Sequence, residues 1–331
     1  MHRQFQEAYC SGKKRNKRME RDAKIYVAGH RGMVGSAIVR ELKRQGYRHI
    51  ITRTHAELDL CRQEAVEKFF AEEKPEYVFL AAAKVGGIIA NQNALADFMY
   101  DNMILEMNVI HSAWKNGCKK LEFLGSSCIY PRMAPQPMPE RCLLTSELEK
   151  TNEAYALAKI SGLKYCEFLN KQYGTDYISV MPTNLYGPND NYHSTHSHVL
   201  PALIRRFHEA KMEGKESVIC WGDGSPLREF LYVDDLANLC VFLMNYYSGD
   251  ETVNAGTGKE LTIKALAELV AKVVGYTGKI EWNVSKPNGT PRKLLDVSKA
   301  TKLGWTYRTE LEDGIRLSYE DFLNNPMRAE R

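Results

Sequence analysis

The stretch from Ile25 to Leu42, IYVAGHRGMVGSAIVREL, contains the pattern that decides the fold. Four apolar residues predict a short buried strand, and three glycines follow with the spacing G-x-x-G-x-x-G: Gly29, Gly32 and Gly35. The apolar residues after them recur at helical spacing. Between a strand and a helix, such glycines allow a tight turn, close approach of the backbone to a pyrophosphate and close helix–strand packing. The stretch therefore predicts a dinucleotide-binding loop.

Short apolar segments alternate with helical segments on the C-terminal side of this loop, which is typical of a doubly wound parallel sheet. The predicted strands are 25–28, 50–52, 77–82, 121–125 and 177–181. The predicted helices are 62–73, 95–116, 153–173, 199–214 and 261–274.

The alternation weakens after Pro182, although residues 230–233 could return to the sheet. We therefore expect an α/β protein whose Rossmann-type doubly wound parallel sheet occupies 24–185 and returns near 228–250. A smaller, discontinuous α/β substrate domain would comprise 186–227 and 251–331. It would lie over the carboxyl ends of the strands, where folds of this class bind ligands.

Composition and charge exclude several classes of protein. The chain has 331 residues, more than one compact core usually holds, and its 44% apolar and 26% charged content is ordinary for a globular protein. It contains no apolar run of about 18 residues, so no membrane helix is expected. Residues 1–23 carry seven basic and three acidic residues, which accounts for the whole net charge of +4. The remainder is neutral, so we expect neither nucleic-acid nor membrane binding by the folded body.

The segment 1–23 lacks the apolar region of a secretory signal, and we expect a basic, disordered leader. A nucleic-acid or membrane tether is the alternative for this segment. Eight scattered cysteines without a CxxC pair or metal-ligand spacing indicate reduced thiols and a cytoplasmic location.

The end of the second predicted strand indicates which dinucleotide is bound. NAD-binding chains usually carry an acidic residue there, whereas this strand ends in Thr52-Arg53-Thr54-His55. Arg53, with Arg31 from the glycine loop, would bind a 2′-phosphate, because guanidinium groups bind phosphate through a planar fork. We therefore expect NADP(H). Asp59 could contact the adenine edge or cap a helix.

A second motif, Tyr155-Ala156-Leu157-Ala158-Lys159, places a phenol and an ammonium on one face of a helix. A nearby cation lowers the pKa of a phenol and makes it a better proton donor or acceptor near neutrality. Ser126 follows a predicted strand end, and its hydroxyl could hold a carbonyl oxygen together with Tyr155. The combination predicts a reductase site.

The chain from about Lys24 onward resembles the extended short-chain dehydrogenase/reductases, and among them the GDP-L-fucose synthases. Seven segments carry the resemblance: 29–35 (GHRGMVG), 83–87 (AKVGG), 125–131 (GSSCIYP), 155–159 (YALAK), 182–188 (PTNLYGP), 197–199 (SHV) and 228–235 (REFLYVDD).

The resemblance implies an epimerase-reductase that converts GDP-4-dehydro-6-deoxy-D-mannose to GDP-L-fucose. Cys128 would be the base that removes protons beside the ketone, and His198 the matching acid. The choice of His198 over His193 and His196 rests on the resemblance. Five catalytic residues are implied: Ser126, Cys128, Tyr155, Lys159 and His198.

The resemblance also implies binding residues and a partner. The NADP(H) site would comprise Gly29, His30, Arg31, Gly32, Met33, Val34, Gly35, Arg53, His55, Asp59, Leu124, Ser126, Ser127, Lys159, Pro182, Asn184, Leu185 and His198. The substrate site would comprise Asn184, Arg206, Trp221, Arg228 and Asn288. Asn288 stands where the family usually has Asp, and His55 where many members have Arg. The helices 95–116 and 153–173 would form a homodimer.

Two other functions compete with this interpretation. An NAD-dependent UDP-sugar 4-epimerase shares the glycine loop and the tyrosine–lysine pair, but needs neither Cys128 nor His198. A catalytically silent NADP-binding scaffold would typically have lost Tyr155 or Lys159, and both residues are present.

Overall fold

The computed structural model describes residues 18–86, 93–193, 197–286 and 288–325. Within these ranges the strands are β1 Ile25–Ala28, β2 Ile50–Ile51, β3 Tyr77–Leu80, β4 Lys120–Leu124, β5 Tyr177–Pro182, β6 Asn184–Tyr186, β7 Ser217–Trp221, β8 Leu227–Arg228, β9 Phe230–Tyr232, β10 Val253–Ala255, β11 Leu261–Thr262, β12 Lys279–Asn283 and β13 Arg292–Lys293. The α-helices in the same ranges are α1 Met33–Arg44, α2 Gln63–Glu73, α3 Leu95–Lys115, α4 Glu153–Tyr173, α5 Val199–Met212, α6 Val233–Tyr246, α7 Ile263–Val274, α8 Ser298–Lys302 and α9 Leu311–Asn324.

A six-stranded parallel sheet in the order β10-β5-β4-β3-β1-β2 forms the centre of the larger domain. Its inner strands β1, β3, β4 and β5 are buried along their whole length, as apolar strands covered on both faces should be. One face packs on α2, α3 and α4, and the other packs on α1, α6 and α8. The predicted doubly wound α/β fold is confirmed.

The smaller domain consists of α5, α7 and α9 with three short sheets. Strand β12 pairs with β7, β6 pairs with β9, and β8 lies between β11 and β13. Its apolar core is separate from those of the larger domain and includes Phe207, Val270 and Ile315. Since β6 begins directly after the end of β5, with only Thr183 between them, this domain lies at the carboxyl end of the central sheet.

Two details of the sequence prediction were wrong. Strand β9, within the predicted return at 230–233, pairs with β6 outside the central sheet, and β10 is the strand that extends that sheet. The segment 251–331 therefore supplies a strand to the larger domain. Residues 18–23 are not a disordered leader, because Met19 and Ala23 are buried and the Met19 amide donates to Asn245 Oδ1 at 2.9 Å. Residues 1–17 lie outside the described ranges.

In the described part of the chain, no helix is long and apolar enough to cross a membrane. The same ranges contain no cluster of three or more His, Cys, Asp or Glu side chains that could hold a metal ion.

Candidate active site

The glycine loop lies between β1 and α1, where the sequence predicted it. Gly29 has a φ of +84°, and a Cβ there would lie 2.8 Å from the Ala82 backbone nitrogen. A Cβ on Gly35 would lie only 2.2 Å from the Gly29 carbonyl oxygen. Gly32 caps α1 without a side-chain hydrogen bond, so the first amides of the helix are available to an anion. These features form a cradle that suits the pyrophosphate of a dinucleotide.

The structure distinguishes the two arginines predicted to bind a 2′-phosphate. Arg53 Nη2 pairs with Glu73 Oε1 at 2.5 Å, and its guanidinium lies 5.3 Å from the centre of the Phe69 ring. Arg53 is therefore partly neutralised before any cofactor binds. Arg31 and His55 are exposed. Asp59 Oδ1 accepts from the Cys61 amide at 3.0 Å, so its carboxylate caps a turn before α2.

We expect Arg31→Ala to lower kcat/KM for NADPH by about tenfold or more while changing kcat/KM for NADH little, because a charge-assisted phosphate contact is lost. Steady-state kinetics with both cofactors measure this effect. Arg53→Ala is the companion variant, because the Arg53 guanidinium is paired with Glu73 and would bind a 2′-phosphate in competition with this carboxylate. A wild-type preference for NADH would contradict the expected binding of a 2′-phosphate by these arginines.

The turn after β4 positions Ser126 and Cys128. Ser126 caps a short 3₁₀ helix, Ser127–Ile129, and its Oγ accepts from the Cys128 amide at 3.3 Å. The pKa of the Cys128 thiol is raised, because burial outweighs the charges of Lys293 and Lys159 and the hydrogen bond with Ser126, which lower it. Because β4 is a parallel strand, this turn lies at the same carboxyl edge of the sheet as the glycine loop that follows β1, with β3 between the two strands.

Helix α4 presents Tyr155 and Lys159 to the same edge. The Lys159 Nζ lies 5.8 Å from the Tyr155 ring centre and donates to the Leu124 carbonyl oxygen at 2.9 Å. Burial raises the pKa of Tyr155 well above its usual value, and Cys128 and Glu106 act in the same direction. The cation therefore does not lower the pKa of the phenol below its ordinary value, contrary to the sequence interpretation.

His198 occupies the N-cap position of α5. The surrounding protein and the Lys293 charge lower the pKa of its imidazole. The Lys293 charge lowers the pKa of both Cys128 and His198, so Lys293 lies near both predicted acid–base groups. His193 lies in the preceding loop, and His196 lies outside the described residues.

Sequence reasoning missed Lys293, which lies in β13 and is paired in register with Arg228 of β8. Two residues after β13, the Leu295 amide donates to Glu229 Oε2 at 3.0 Å. The only sequence signal for Lys293 is the basic pair Arg292-Lys293, which does not indicate which of the two side chains lies near Cys128 and His198.

The predicted substrate residues lie in the smaller domain. Arg206 Nη1 donates to the Ile219 carbonyl at 3.1 Å, which places α5 beside the strand that carries the exposed Trp221. Asn288 Oδ1 accepts from the Asp223 amide at 2.9 Å, so it holds the turn directly after Trp221. The Asn184 side chain donates through Nδ2 to the Glu229 carbonyl oxygen at 2.8 Å. Asn184 and Asn288 thus have structural contacts of their own.

The remaining predicted cofactor residues lie at two strand ends. Leu124 and Ser127 lie at the end of β4 and in the turn that follows it, and Pro182 and Leu185 lie at the junction between β5 and β6. His30, Met33 and Val34 belong to the glycine loop and the first turn of α1. Burial and the neighbouring Arg31 lower the pKa of His30, which favours the neutral imidazole there.

The fold and the residues at the carboxyl edge of the central sheet are those of a dinucleotide-dependent enzyme. Residues 25–256 match the NAD dependent epimerase/dehydratase family. The chain belongs to this family. It is 62% identical to GDP-L-fucose synthase 1 of Arabidopsis thaliana, over 92% of this chain and 95% of that protein. It is 53% identical to GDP-L-fucose synthase of Escherichia coli (strain K12), over 91% of this chain and 97% of that protein.

A solved structure of a GDP-L-fucose synthetase from Naegleria fowleri bound to NADP is similar to this one. Its TM-score is 0.87 at 27% identity, covering 95% of this chain and 98% of that chain. The family resemblance inferred from the sequence motifs is confirmed by these comparisons.

Proposed function

We propose that this protein is a GDP-L-fucose synthase that converts GDP-4-dehydro-6-deoxy-D-mannose to GDP-L-fucose. The reaction combines epimerisation at C3 and C5 with NADPH-dependent reduction of the 4-keto group. The relatives named GDP-L-fucose synthase, which match nearly the whole chain, support this assignment. The reduced cytosolic thiols expected from the sequence favour the cytoplasm as its location.

The observation that carries the proposal is the placement of two acid–base systems at one edge of the sheet. Tyr155 and Lys159 form the pair that reduces a ketone, and Cys128 lies close enough to Tyr155 to affect the pKa of its phenol. Lys293 lies close enough to Cys128 and to His198 for its charge to lower the pKa of each. A UDP-sugar 4-epimerase needs only the first pair, and a silent scaffold needs neither.

In the reduction, Ser126 and Tyr155 hold the ketone oxygen of the sugar. NADPH, when bound, supplies the hydride. Tyr155 gives its phenolic proton to the oxygen, which neutralises the developing alkoxide. Lys159 holds the ribose next to the nicotinamide, and the glycine loop with the first amides of α1 binds the pyrophosphate.

In the epimerisation, Cys128 as a thiolate takes the proton beside the ketone, and the negative charge moves to the ketone oxygen. His198 returns a proton to the opposite face of the carbon. The Lys293 charge opposes the burial that raises the pKa of Cys128, and it lowers the pKa of His198, which makes the imidazolium a stronger acid. Arg206, Trp221 and Arg228 would bind the nucleotide diphosphate, with guanidinium groups on phosphate and the indole against a ring.

The direct test is to incubate the protein with GDP-4-dehydro-6-deoxy-D-mannose and NADPH and to identify the sugar product by NMR. We expect GDP-L-fucose and one equivalent of NADP⁺. A parallel incubation with UDP-glucose and NAD⁺ tests the alternative epimerase. Formation of UDP-galactose without GDP-L-fucose would contradict the proposal, and turnover of neither substrate would favour the scaffold.

We further propose that the protein is a homodimer built on α3 and α4. These helices pack against each other, yet large apolar side chains on them stay exposed: Met99, Tyr100, Leu157, Phe168 and Tyr173. Large apolar side chains that stay exposed on two packed helices favour an interface with another molecule. Two helices from each subunit would form a four-helix bundle.

Sedimentation at micromolar concentration should therefore give about twice the chain mass of 37.8 kDa. Phe168→Glu should shift the protein toward the monomer, because it places a charge within the apolar interface. Met133→Glu is the matched control: Met133 is also apolar and exposed, but it belongs to neither helix. A wild-type monomer would contradict the dimer.

A further inference from the structure

Glu106 of α3 is a fully buried carboxylate that no step of the proposed mechanism uses. Its Oε1 lies 2.9 Å from Lys159 Nζ, and both side chains are almost completely removed from solvent. Within the described residues, neither carboxylate oxygen accepts a hydrogen bond of acceptable geometry. Burial raises the pKa of Glu106, and the Lys159 charge lowers it. The Lys159 ammonium is therefore the group that favours the ionised carboxylate, since an unpaired buried carboxylate is very costly.

A glycine on the neighbouring helix leaves space for the Glu106 carboxylate. A Cβ on Gly162 of α4 would lie 2.7 Å from Glu106 Oε2 and 2.6 Å from the Phe123 ring, so the glycine leaves room for the carboxylate between the two helices and the sheet. The Lys159 Nζ lies 4.8 Å from the centre of the Phe123 ring. Cys166 is the other titratable neighbour, and burial with the nearby Glu106 raises the pKa of its thiol.

This arrangement changes the charge that Tyr155 experiences. Lys159 alone would place an uncompensated cation 5.8 Å from the phenol ring. Paired with Glu106, it forms a neutral unit. The titratable groups facing the phenol are then Cys128, Glu106 and Lys159, and burial, Cys128 and Glu106 all raise the pKa of Tyr155.

We propose that Glu106 is a positioning residue for the ketone reduction: it holds the Lys159 ammonium in place and cancels its charge, so that Tyr155 enters the reaction as a protonated donor. The proposal rests on the reductase activity assigned above. Reduction requires a protonated phenol, because the C4 carbon receives a hydride from NADPH while the oxygen receives the Tyr155 proton. The tyrosinate that remains then takes a proton from water.

The test compares the pH dependence of ketone reduction in wild type and Glu106→Gln. The isosteric amide removes the negative charge and leaves the Lys159 cation uncompensated. We expect the alkaline limb of the kcat profile to move to lower pH by about one unit or more, with KM for the sugar nucleotide changed less than twofold. Tyrosinate absorbance, measured as the difference from the same protein carrying Tyr155→Phe, should show the same shift without any substrate.

Glu122→Gln is the matched control, since Glu122 is equally buried in β4 and its oxygens also lack hydrogen-bond partners among the described residues. This control should leave both readouts unchanged. An unshifted Glu106→Gln profile and titration would overturn the proposal. The substrate-free titration separates this failure from a failure of the proposed function, which the product assay measures.

A stability comparison covers the case in which Glu106→Gln folds poorly. Lys159→Met leaves Glu106 unpaired, so Lys159→Met combined with Glu106→Gln should unfold at a higher temperature than Lys159→Met alone. A double variant no more stable than Lys159→Met would show that the two charges do not compensate each other, and would overturn the proposal.

Discussion

Replacing Cys128 with serine should suppress conversion of the 4-keto sugar by at least about a hundredfold while leaving NADPH binding unchanged. Removal of the proton beside the ketone needs a base at carbon, and general-base catalysis contributes about 10²–10⁴-fold. Serine is close in size to cysteine, so the turn after β4 should keep its shape. Its hydroxyl is far less acidic than the thiol and is a poor base near pH 7.

Deuterium incorporation measures this effect directly. In heavy water the wild-type product should carry deuterium at C3 and C5, and the Cys128→Ser product should carry much less or be a sugar reduced without full epimerisation. Cys118→Ser is the matched control, because Cys118 is buried before the start of β4, and its thiol contacts backbone carbonyls to which a serine can also donate. Normal exchange and normal GDP-L-fucose yield from Cys128→Ser would mean that Cys128 is only a packed thiol.

Tyr155→Phe should lower the rate of hydride transfer by about a thousandfold, or ~4 kcal/mol of barrier, and leave cofactor affinity close to that of wild type. Only the phenolic proton is removed, and the ring keeps its packing. Single-turnover oxidation of NADPH measures the hydride step, and fluorescence titration measures binding. Lys159→Met should damage both, because Lys159 would contact the ribose and also compensates Glu106.

Tyr165→Phe provides the control for this substitution on the same helix. The Tyr165 hydroxyl lies 2.7 Å from His111 Nδ1, on the part of α4 that contacts α3 and away from the glycine loop. Its loss should leave the hydride step unchanged. Near-normal reduction by Tyr155→Phe would remove Tyr155 from the mechanism.

Patterns carried by consecutive residues could be predicted from the sequence. The strand, glycine loop and helix from β1 to α1 depend on local spacing, and Tyr155 and Lys159 share a helix face because they are one helical turn apart. Helix α4 was predicted with its observed bounds, 153–173. The alternation of strands and helices indicated the doubly wound sheet for the same reason.

Pairing between distant segments could not be predicted in this way. Strands β9 and β10 have only three residues each, and the sequence does not show that β10, rather than β9, pairs with β5. The predicted environment of Arg53 was incomplete because its partner Glu73 belongs to another element, at the end of α2.

The sequence by itself determined the class of fold, the dinucleotide loop and the residue types of the chemistry, because these depend on periodicity and short spacings. Only the tertiary structure decided which charges surround them. Glu106 and Lys159 lie on different helices, and Lys293 lies on a strand of the smaller domain far along the chain from Cys128, so neither neighbour has a local signature. Since the pKa of a buried group depends on its desolvation and on charges within a few ångströms, the protonation of Tyr155 and Cys128 is a property of the folded chain.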